Sequence, residues 1–438
     1  MNLKINPITS SLNGEIIAPG SKSYSHRAFI AASLADGISI IKNPLKSGDV
    51  EVTMNVLKTL GVKILEKSDN TYIIKSGKES FRSYKKTLDC GNSGTTIRIF
   101  SALSLLFKDG LSLSGEFFKL NRPILPLLKS LEQIGAVFKL SGGKLKIKRK
   151  KILCNKIKIQ GNKSSQFITA LLMLCPQLQC ENKDFFEIEL TTPLVSKPFI
   201  EITLDVLETF GINIQANFEI GKFYITNDQT YRSQSFTIPG DFSSAAFIIA
   251  AAVLSKKPSS IIINNLSIKN SQGDKKIIEI LREMGANINM DEDKNQIIVN
   301  GDIKKYPLKG IEINCKDIPD LFPILSVIGA FAEGKTVLYN ASNLRLKETD
   351  RISTIARELS NMGIKIIEED DKLTIFHCDK IKGTTINHNN DHRIAMACSI
   401  AALYADSSSY IQNSEIIKDS YPSFFGDLKE LGAQIEQV

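Results

Sequence analysis

The chain is poor in the residues that build metal centres and disulfide frameworks. Its 438 residues include only four histidines and seven cysteines. The cysteines, at 90, 154, 175, 180, 315, 378 and 398, form no CxxC pair and are odd in number. Zinc sites and disulfide scaffolds need close, even sets, so the pattern predicts reduced, mostly buried thiols and no metal site. No apolar run reaches the roughly 20 residues of a membrane span. Residues 1–11 lack the basic and apolar stretches of a signal peptide, so the expected location is the cytoplasm. The GxxxxGK[ST] phosphate loop is also absent.

What remains is an ordinary globular composition, 42% hydrophobic and 23% charged, long enough for two or three domains. The formal charge is +8. Its densest cationic run, residues 144–151, alternates with apolar residues, which fits a strand with one wet face running into a turn. Nucleic-acid binders cluster their lysines on one face, whereas here cations stand singly. A modest positive field suits small anionic substrates instead.

One phrase recurs six times: an amphipathic helical pattern, a large apolar residue, glycine, then a short β-prone run. The glycines are Gly61, Gly135, Gly211, Gly285, Gly363 and Gly432, spaced 74, 76, 74, 78 and 69 residues apart. Glycine ends helices because it enters the left-handed conformation without steric cost. Six at near-constant spacing predict six copies of an α/β unit, divided into two domains of three. The Pro-Gly pairs at 19–20 and 239–240 mark the expected borders. Residues 21–238 then form one domain, and residues 1–20 with 239–438 the other, leaving an interdomain cleft as the expected ligand site.

Polar residues gather at the starts of apolar helical runs. Gly20-Ser21-Lys22-Ser23 with His26 and Arg27 combines hydroxyls and cations at a helix start, as a phosphate site does. Residues 89–98 repeat the theme, with Gly94 and Arg98. Ser164, Ser165 and Gln166 open another such helix. Arg122 and Lys197 stand beside prolines, Asp320 follows one, and residues 390–393 read Asn-Asp-His-Arg. Residues 343–351, Asn-Leu-Arg-Leu-Lys-Glu-Thr-Asp-Arg, are the densest in charge. Each segment can also be read as a helix cap with exposed charge. Together they suit a site where cations grip anions and Asp320 and Glu348 move protons.

The motifs GSKSxSxRA (20–28), GNSGTxxR (91–98), NRPxxPL (121–127), SSQF (164–167), SKPFI (196–200), IPD (318–320), LRxKETDR (344–351), NDHRxAM (390–396) and SYPSFF (420–425) occur in order. In combination they resemble the enolpyruvyl transferase family over the full length, in particular its members whose acceptor is shikimate 3-phosphate. The resemblance implies a two-domain α/β fold of six βαβαββ units. It implies a monomer that uses no cofactor and belongs to the shikimate pathway of aromatic amino-acid biosynthesis. The implied reaction moves the enolpyruvyl group of phosphoenolpyruvate to the 5-hydroxyl of shikimate 3-phosphate, with release of phosphate.

Carried over by motif, Lys22, Ser23, Arg27, Ser164, Ser165, Gln166, Ser196, Asp320, Asn343 and Lys347 would hold shikimate 3-phosphate. Lys22, Gly94, Arg122, Gln166, Arg351 and Arg393 would hold phosphoenolpyruvate. Asp320 would be the base, Glu348 the acid and Lys22 a further catalytic group. Gly94 implies sensitivity to glyphosate, which competes for the phosphoenolpyruvate site. Two positions depart from patterns in the family: Phe199 stands where some members have Tyr, and Asp419 where some have Lys, with Lys418 adjacent. The rival acceptor, UDP-N-acetylglucosamine, belongs to relatives that place a reactive Cys where this chain has Phe117.

Overall fold

Helices of two kinds alternate along the chain, and their apolar patterns separate them. The computed structural model describes residues 1–77, 86–120, 122–179, 185–227 and 229–438. The first six helices are α1 (Lys22–Leu34), α2 (Gly48–Thr59), α3 (Gly94–Leu103), α4 (Leu125–Glu132), α5 (Ser165–Leu174) and α6 (Lys197–Thr209). The other six are α7 (Phe242–Val253), α8 (Ile277–Met284), α9 (Phe322–Phe331), α10 (Arg351–Asn361), α11 (His392–Leu403) and α12 (Phe424–Glu430). Odd-numbered helices are buried on nearly all sides, and every residue of α3, α7, α9 and α11 is buried. Such helices belong in the middle of a core.

Even-numbered helices bury one face and stop at the six repeat glycines. These have φ of 97°, 100°, 81°, 114°, 90° and 111°, the left-handed region that the spacing argument required.

The chain divides into two units. The middle unit is Gly20–Ile238, and the terminal unit is Met1–Pro19 with Pro239–Val438. Each has its own hydrophobic core and three four-stranded sheets. One sheet shows the pattern of all six. Lys156–Ile159 runs parallel to Phe185–Leu190, which pairs antiparallel with Lys222–Thr226, itself antiparallel to Gln215–Asn217. With α5 and α6 between its strands, this is a βαβαββ unit. The lysine-rich run forms the strand Lys144–Arg149, with Leu145 and Ile147 buried and its cationic residues exposed.

Distant strands complete three sheets. Ser235–Thr237 lies parallel to Gly37–Lys42, supplying the first repeat from the far end of the middle unit. In the terminal unit, Asn13–Ile17 lies parallel to Ser259–Asn264. Leu3–Ile5 lies between Ser409–Ile411 and Ile435–Gln437, antiparallel to both.

The cysteine reading needs one correction. Cys90, Cys175, Cys315, Cys378 and Cys398 are free, but Cys154 is disulfide-bonded. An odd count with no CxxC argues against a framework, yet it does not forbid a single bridge formed by residues that folding brings together. Cys180 lies outside the described residues. Among the described residues no helix is long and apolar enough to cross a membrane.

Candidate functional site

In the middle unit most of the sequence-predicted residues sit at the amino ends of the three buried helices, with Arg122 shortly before α4 and Ser196 before α6. Ser21, Ser93 and Ser164 are the residues before α1, α3 and α5. Ser93 Oγ accepts from Thr96 N, and Ser164 Oγ accepts from Gln166 N. Neutral caps leave the partial positive charge of a helix end uncancelled, which favours an anion there.

Hydrogen bonds tie these ends together. Lys22 Nζ pairs with Asp49 Oδ2 at 2.9 Å, and His26 Nε2 lies 3.5 Å from the same oxygen. His26 Nδ1 meets Thr53 Oγ1 at 2.7 Å, Thr53 meets Thr96 at 2.6 Å, and Thr96 meets Ser93 at 2.7 Å. Burial lowers the His26 pKa despite Asp49, so the ring is neutral near pH 7. Burial alone would raise the Asp49 carboxyl, but Lys22 and His26 outweigh it and hold it well below the usual range. Asp49 therefore fixes Lys22 as a cation in a set position.

Arg27 is buried and donates four hydrogen bonds to protein. Nε reaches Thr203, Nη1 the Ser23 carbonyl, and Nη2 both Thr169 Oγ1 and the Phe199 carbonyl. It thereby joins α1, α5 and α6, and burial pushes its pKa down to about 10. Gln166 links α5 to α3, accepting from Arg98 Nη1 at 2.5 Å and donating to Thr95 at 3.0 Å. Arg122 Nη1 donates to the Asn92 carbonyl at 2.8 Å. The guanidiniums of Arg98 and Arg122 each lie 5.2 Å from the Phe117 ring centroid, so this side chain seats cations rather than reacting.

Two backbone positions show how closely this set is built. A Cβ on Gly94 would come within 2.8 Å of Arg122 Nη2 and 3.2 Å of Arg98 Nη1. Ser196, before α6, has φ 57°, whereas the other eight non-glycine positive-φ residues among those described are asparagines. A β-carbon there costs roughly 1–2 kcal/mol, and such strain concentrates at functional sites.

The terminal unit holds a different arrangement. Here α7 and α11 are capped by carboxylates, Asp241 and Asp391. Arg351, the first residue of α10, is 2% exposed and meets three carboxylates. Nε donates to Asp391 at 2.7 Å, Nη1 to Asp320 at 2.8 Å and Nη2 to Glu348 at 2.8 Å. Arg393 Nη2 pairs with the second oxygen of Asp320 at 2.9 Å. Burial alone would raise the Asp320 carboxyl, but Arg393, Lys347 and Arg351 outweigh it and hold it far down. Burial would lower the Arg351 pKa, but Asp391, Glu348 and Asp320 together raise it.

The loop carrying Lys347 and Glu348 is pinned from behind. Arg345 Nη1 reaches Asp350 at 2.7 Å and Glu368 at 3.1 Å, while Nε and Nη2 hold the carbonyls of Asp370 and Glu369. Asn343 is buried in the turn Ser342–Leu346 just before.

Each unit thus gathers its own share of the sequence-predicted residues. Lys22, Ser23, Arg27, Gly94, Arg122, Ser164, Ser165, Gln166 and Ser196 belong to the middle unit, and Asp320, Asn343, Lys347, Glu348, Arg351 and Arg393 to the terminal one. Lys418 is exposed and close enough to Glu415 to act on its carboxyl. Asn121 of the Asn-Arg-Pro motif lies outside the described residues. The sequence gives no sign of Asp49, and it places Asp391 in a polar segment without a role of its own. Asp49 sits in the first turn of an amphipathic helix, where an acid is ordinary. Asp391 was visible as part of a dense tetrapeptide, but its partner 40 residues earlier was not.

Comparison with known proteins gives a consistent result. Residues 7–428 match the family model of EPSP synthase (3-phosphoshikimate 1-carboxyvinyltransferase). A relative from Methanocaldococcus jannaschii, named 3-phosphoshikimate 1-carboxyvinyltransferase, is 44% identical with both chains covered in full. One of the same name from Methanococcus vannielii is 41% identical over 98% of this chain and 99% of its own. The solved EPSP synthase of Acinetobacter baumannii superposes with a TM-score of 0.81 at 25% identity, covering 99% of each chain.

Proposed function

The chain belongs to the EPSP synthase (3-phosphoshikimate 1-carboxyvinyltransferase) family, and from that premise we propose how its residues transfer the enolpyruvyl group of phosphoenolpyruvate to the 5-hydroxyl of shikimate 3-phosphate. The observation that carries the assignment of roles is the buried Arg351–Arg393 pair, which holds the two candidate proton carriers Asp320 and Glu348. The two guanidiniums form a hook for the donor's carboxylate. An arriving carboxylate takes over hydrogen bonds that Asp320 and Glu348 now make. Asp320, a very weak base while gripped by two arginines, is released to accept the proton of the 5-hydroxyl. Glu348, released from Arg351, takes up a proton from solvent and so becomes the acid that protonates the donor's methylene carbon.

The hydroxyl oxygen then bonds to the cationic carbon, giving a tetrahedral ketal. Glu348 takes back a proton from the new methyl group as the carbon–oxygen bond to phosphate breaks. Asp320 passes the hydroxyl's proton to the departing phosphate, so atoms and charges balance without a covalent enzyme intermediate, and oriented cations and two carboxyl groups suffice.

The remaining roles divide by unit. In the middle unit, Lys22, Ser23, Ser164, Ser165, Gln166 and Ser196 hold shikimate 3-phosphate, helped by the uncancelled ends of the buried helices. Arg27 contributes mainly charge and helix placement, since four of its five N–H donors already serve protein. Gly94, Arg122, Gln166 and Lys22 serve the donor. In the terminal unit, Asn343, Lys347 and Asp320 complete the acceptor's contacts. The reading takes the enzyme as a cytoplasmic monomer working without cofactor or nucleic acid.

Phosphate release from phosphoenolpyruvate, with shikimate 3-phosphate and UDP-N-acetylglucosamine offered separately, tests the assignment. Release is expected with the first only, and release with the second alone overturns it. Gly94→Ala tests the donor site. Its methyl must displace the end of Arg122, a flexible group, so the fold survives. Losing one charge-assisted contact costs about 1.5–3 kcal/mol, so KM for phosphoenolpyruvate should rise on the order of 10- to 100-fold. KM for shikimate 3-phosphate should change little. Equal loss for both ligands would count against placing the donor at Gly94.

A further inference from the structure

The terminal unit contains a buried carboxyl group that the proposed chemistry does not use. Asp274 lies in the turn Gly273–Lys276 leading into α8 and is 3% exposed. Its Oδ2 meets Ser243 Oγ, in the first turn of α7, at 2.5 Å. Its Oδ1 is buried with no hydrogen-bond partner. Arg393 is similarly half-used: Nη2 pairs with Asp320, while Nη1 is buried and makes no hydrogen bond. A buried carboxylate with one bare oxygen is costly while charged and much less so once protonated.

The groups acting on Asp274 come from several elements. Asp320 precedes α9, Arg393 is on α11, Asp241 caps α7, and the neutral thiol of Cys315 is also close enough to interact with it. On its own turn and on α8, Lys276, Glu279, Arg282 and Glu283 are exposed, and Lys275 is bonded to the carbonyls of Ile268 and Asn270. Burial and then the charge of Asp320 push the Asp274 carboxyl up, with Asp241 adding to them. Ser243 and Arg393 pull the other way, and the balance stands at about 7.

We propose that Asp274 is a positioning residue for Arg393: neutral, it leaves that guanidinium to Asp320 and to the donor's carboxylate, and ionised, it competes for it. The inference rests on reading Arg393 as part of the carboxylate hook. It gives the enzyme a brake on donor binding that engages as pH rises through neutrality. Ionising Asp274 sets a second negative charge against an anionic ligand. At an effective dielectric near 20, a unit charge contributes about 1 kcal/mol or more even well beyond contact distance, which changes affinity on the order of tenfold.

The test is the pH profile of KM for phosphoenolpyruvate and of kcat, for wild type, Asp274→Asn and Ser243→Ala. In wild type, KM should climb on the order of tenfold between pH 6 and 8.5, with kcat changing less. Asn cannot ionise, so Asp274→Asn should lack that climb. Ser243→Ala removes a bond that favours the ionised carboxyl, so its climb should move to higher pH. A role confined to folding would shift KM equally at every pH, and the donor's own phosphate ionisation acts on all three proteins alike.

Arg393→Ala separates the inference from the reading beneath it. If that change leaves the donor's KM unaltered, the hook itself is wrong. If it raises KM while Asp274→Asn keeps the wild-type profile, only the role of Asp274 fails. Should Asp274→Asn not fold, an unshifted climb in Ser243→Ala overturns the proposal.

Discussion

Replacing Glu348 with Gln is expected to lower turnover by roughly 10²- to 10⁴-fold, the usual contribution of a positioned proton donor. Gln keeps an oxygen where Glu348 Oε2 now accepts from Arg351 Nη2 at 2.8 Å, so the guanidinium should stay in place. What is lost is the proton for the donor's methylene carbon and the base that later retrieves one. Both ligands should therefore bind within a few-fold of wild type. Binding measured by calorimetry, beside single-turnover phosphate release, separates the two effects. Normal turnover would remove Glu348 from the mechanism, and a loss confined to KM would make it a binding group.

Arg351→Ala should be the most damaging single change to the terminal unit. Arg351 is the shared partner of Asp391, Asp320 and Glu348, the first of which is wholly buried. Taking the cation from a buried pair strands the charge left behind, which costs about 3–5 kcal/mol. Lys should not rescue it, because one ammonium cannot point donors along three directions held by a planar fork.

The deficit should also depend on pH. In wild type the Asp320 carboxyl is held below its unfolded value. Its contribution to stability is therefore present above the ordinary carboxylate pKa and is lost as pH falls through the depressed folded value. Without Arg351 that contribution shrinks, so wild type and variant should converge as pH drops below about 4. Urea unfolding at pH 7.5 and at about pH 2.5, inside the window between the unfolded and folded values, measures this. Equal midpoints at pH 7.5 would show that the three carboxylates need no shared cation.

The sequence exposes the repeat and the hook, but not the parts that hold them. Glycines such as Gly285 and Gly363 announce helix ends because a left-handed residue is a local demand, visible in one residue type. Arg351 stands out because its neighbours in the chain are charged too. Asp49 and Asp274 stay hidden because their importance comes from burial and from partners on other elements. Ser196 sits in a recognisable Ser-Lys-Pro segment, yet its left-handed backbone leaves no compositional trace. The strand partnership of Leu3–Ile5 with residues more than 400 positions away is equally silent, since three apolar-alternating residues fit any edge.

That partnership bears on how the molecule is made. Translation releases residues in order, and domains fold as their strands emerge. The middle unit has all of its strands once Ser235–Thr237 is out and can close while synthesis continues. The strand Leu3–Ile5 is made before the whole middle unit, yet its slot forms only once Ser409–Ile411 and Ile435–Gln437 have been made. That strand must therefore wait, without its final neighbours, until Ile435–Gln437 has left the ribosome.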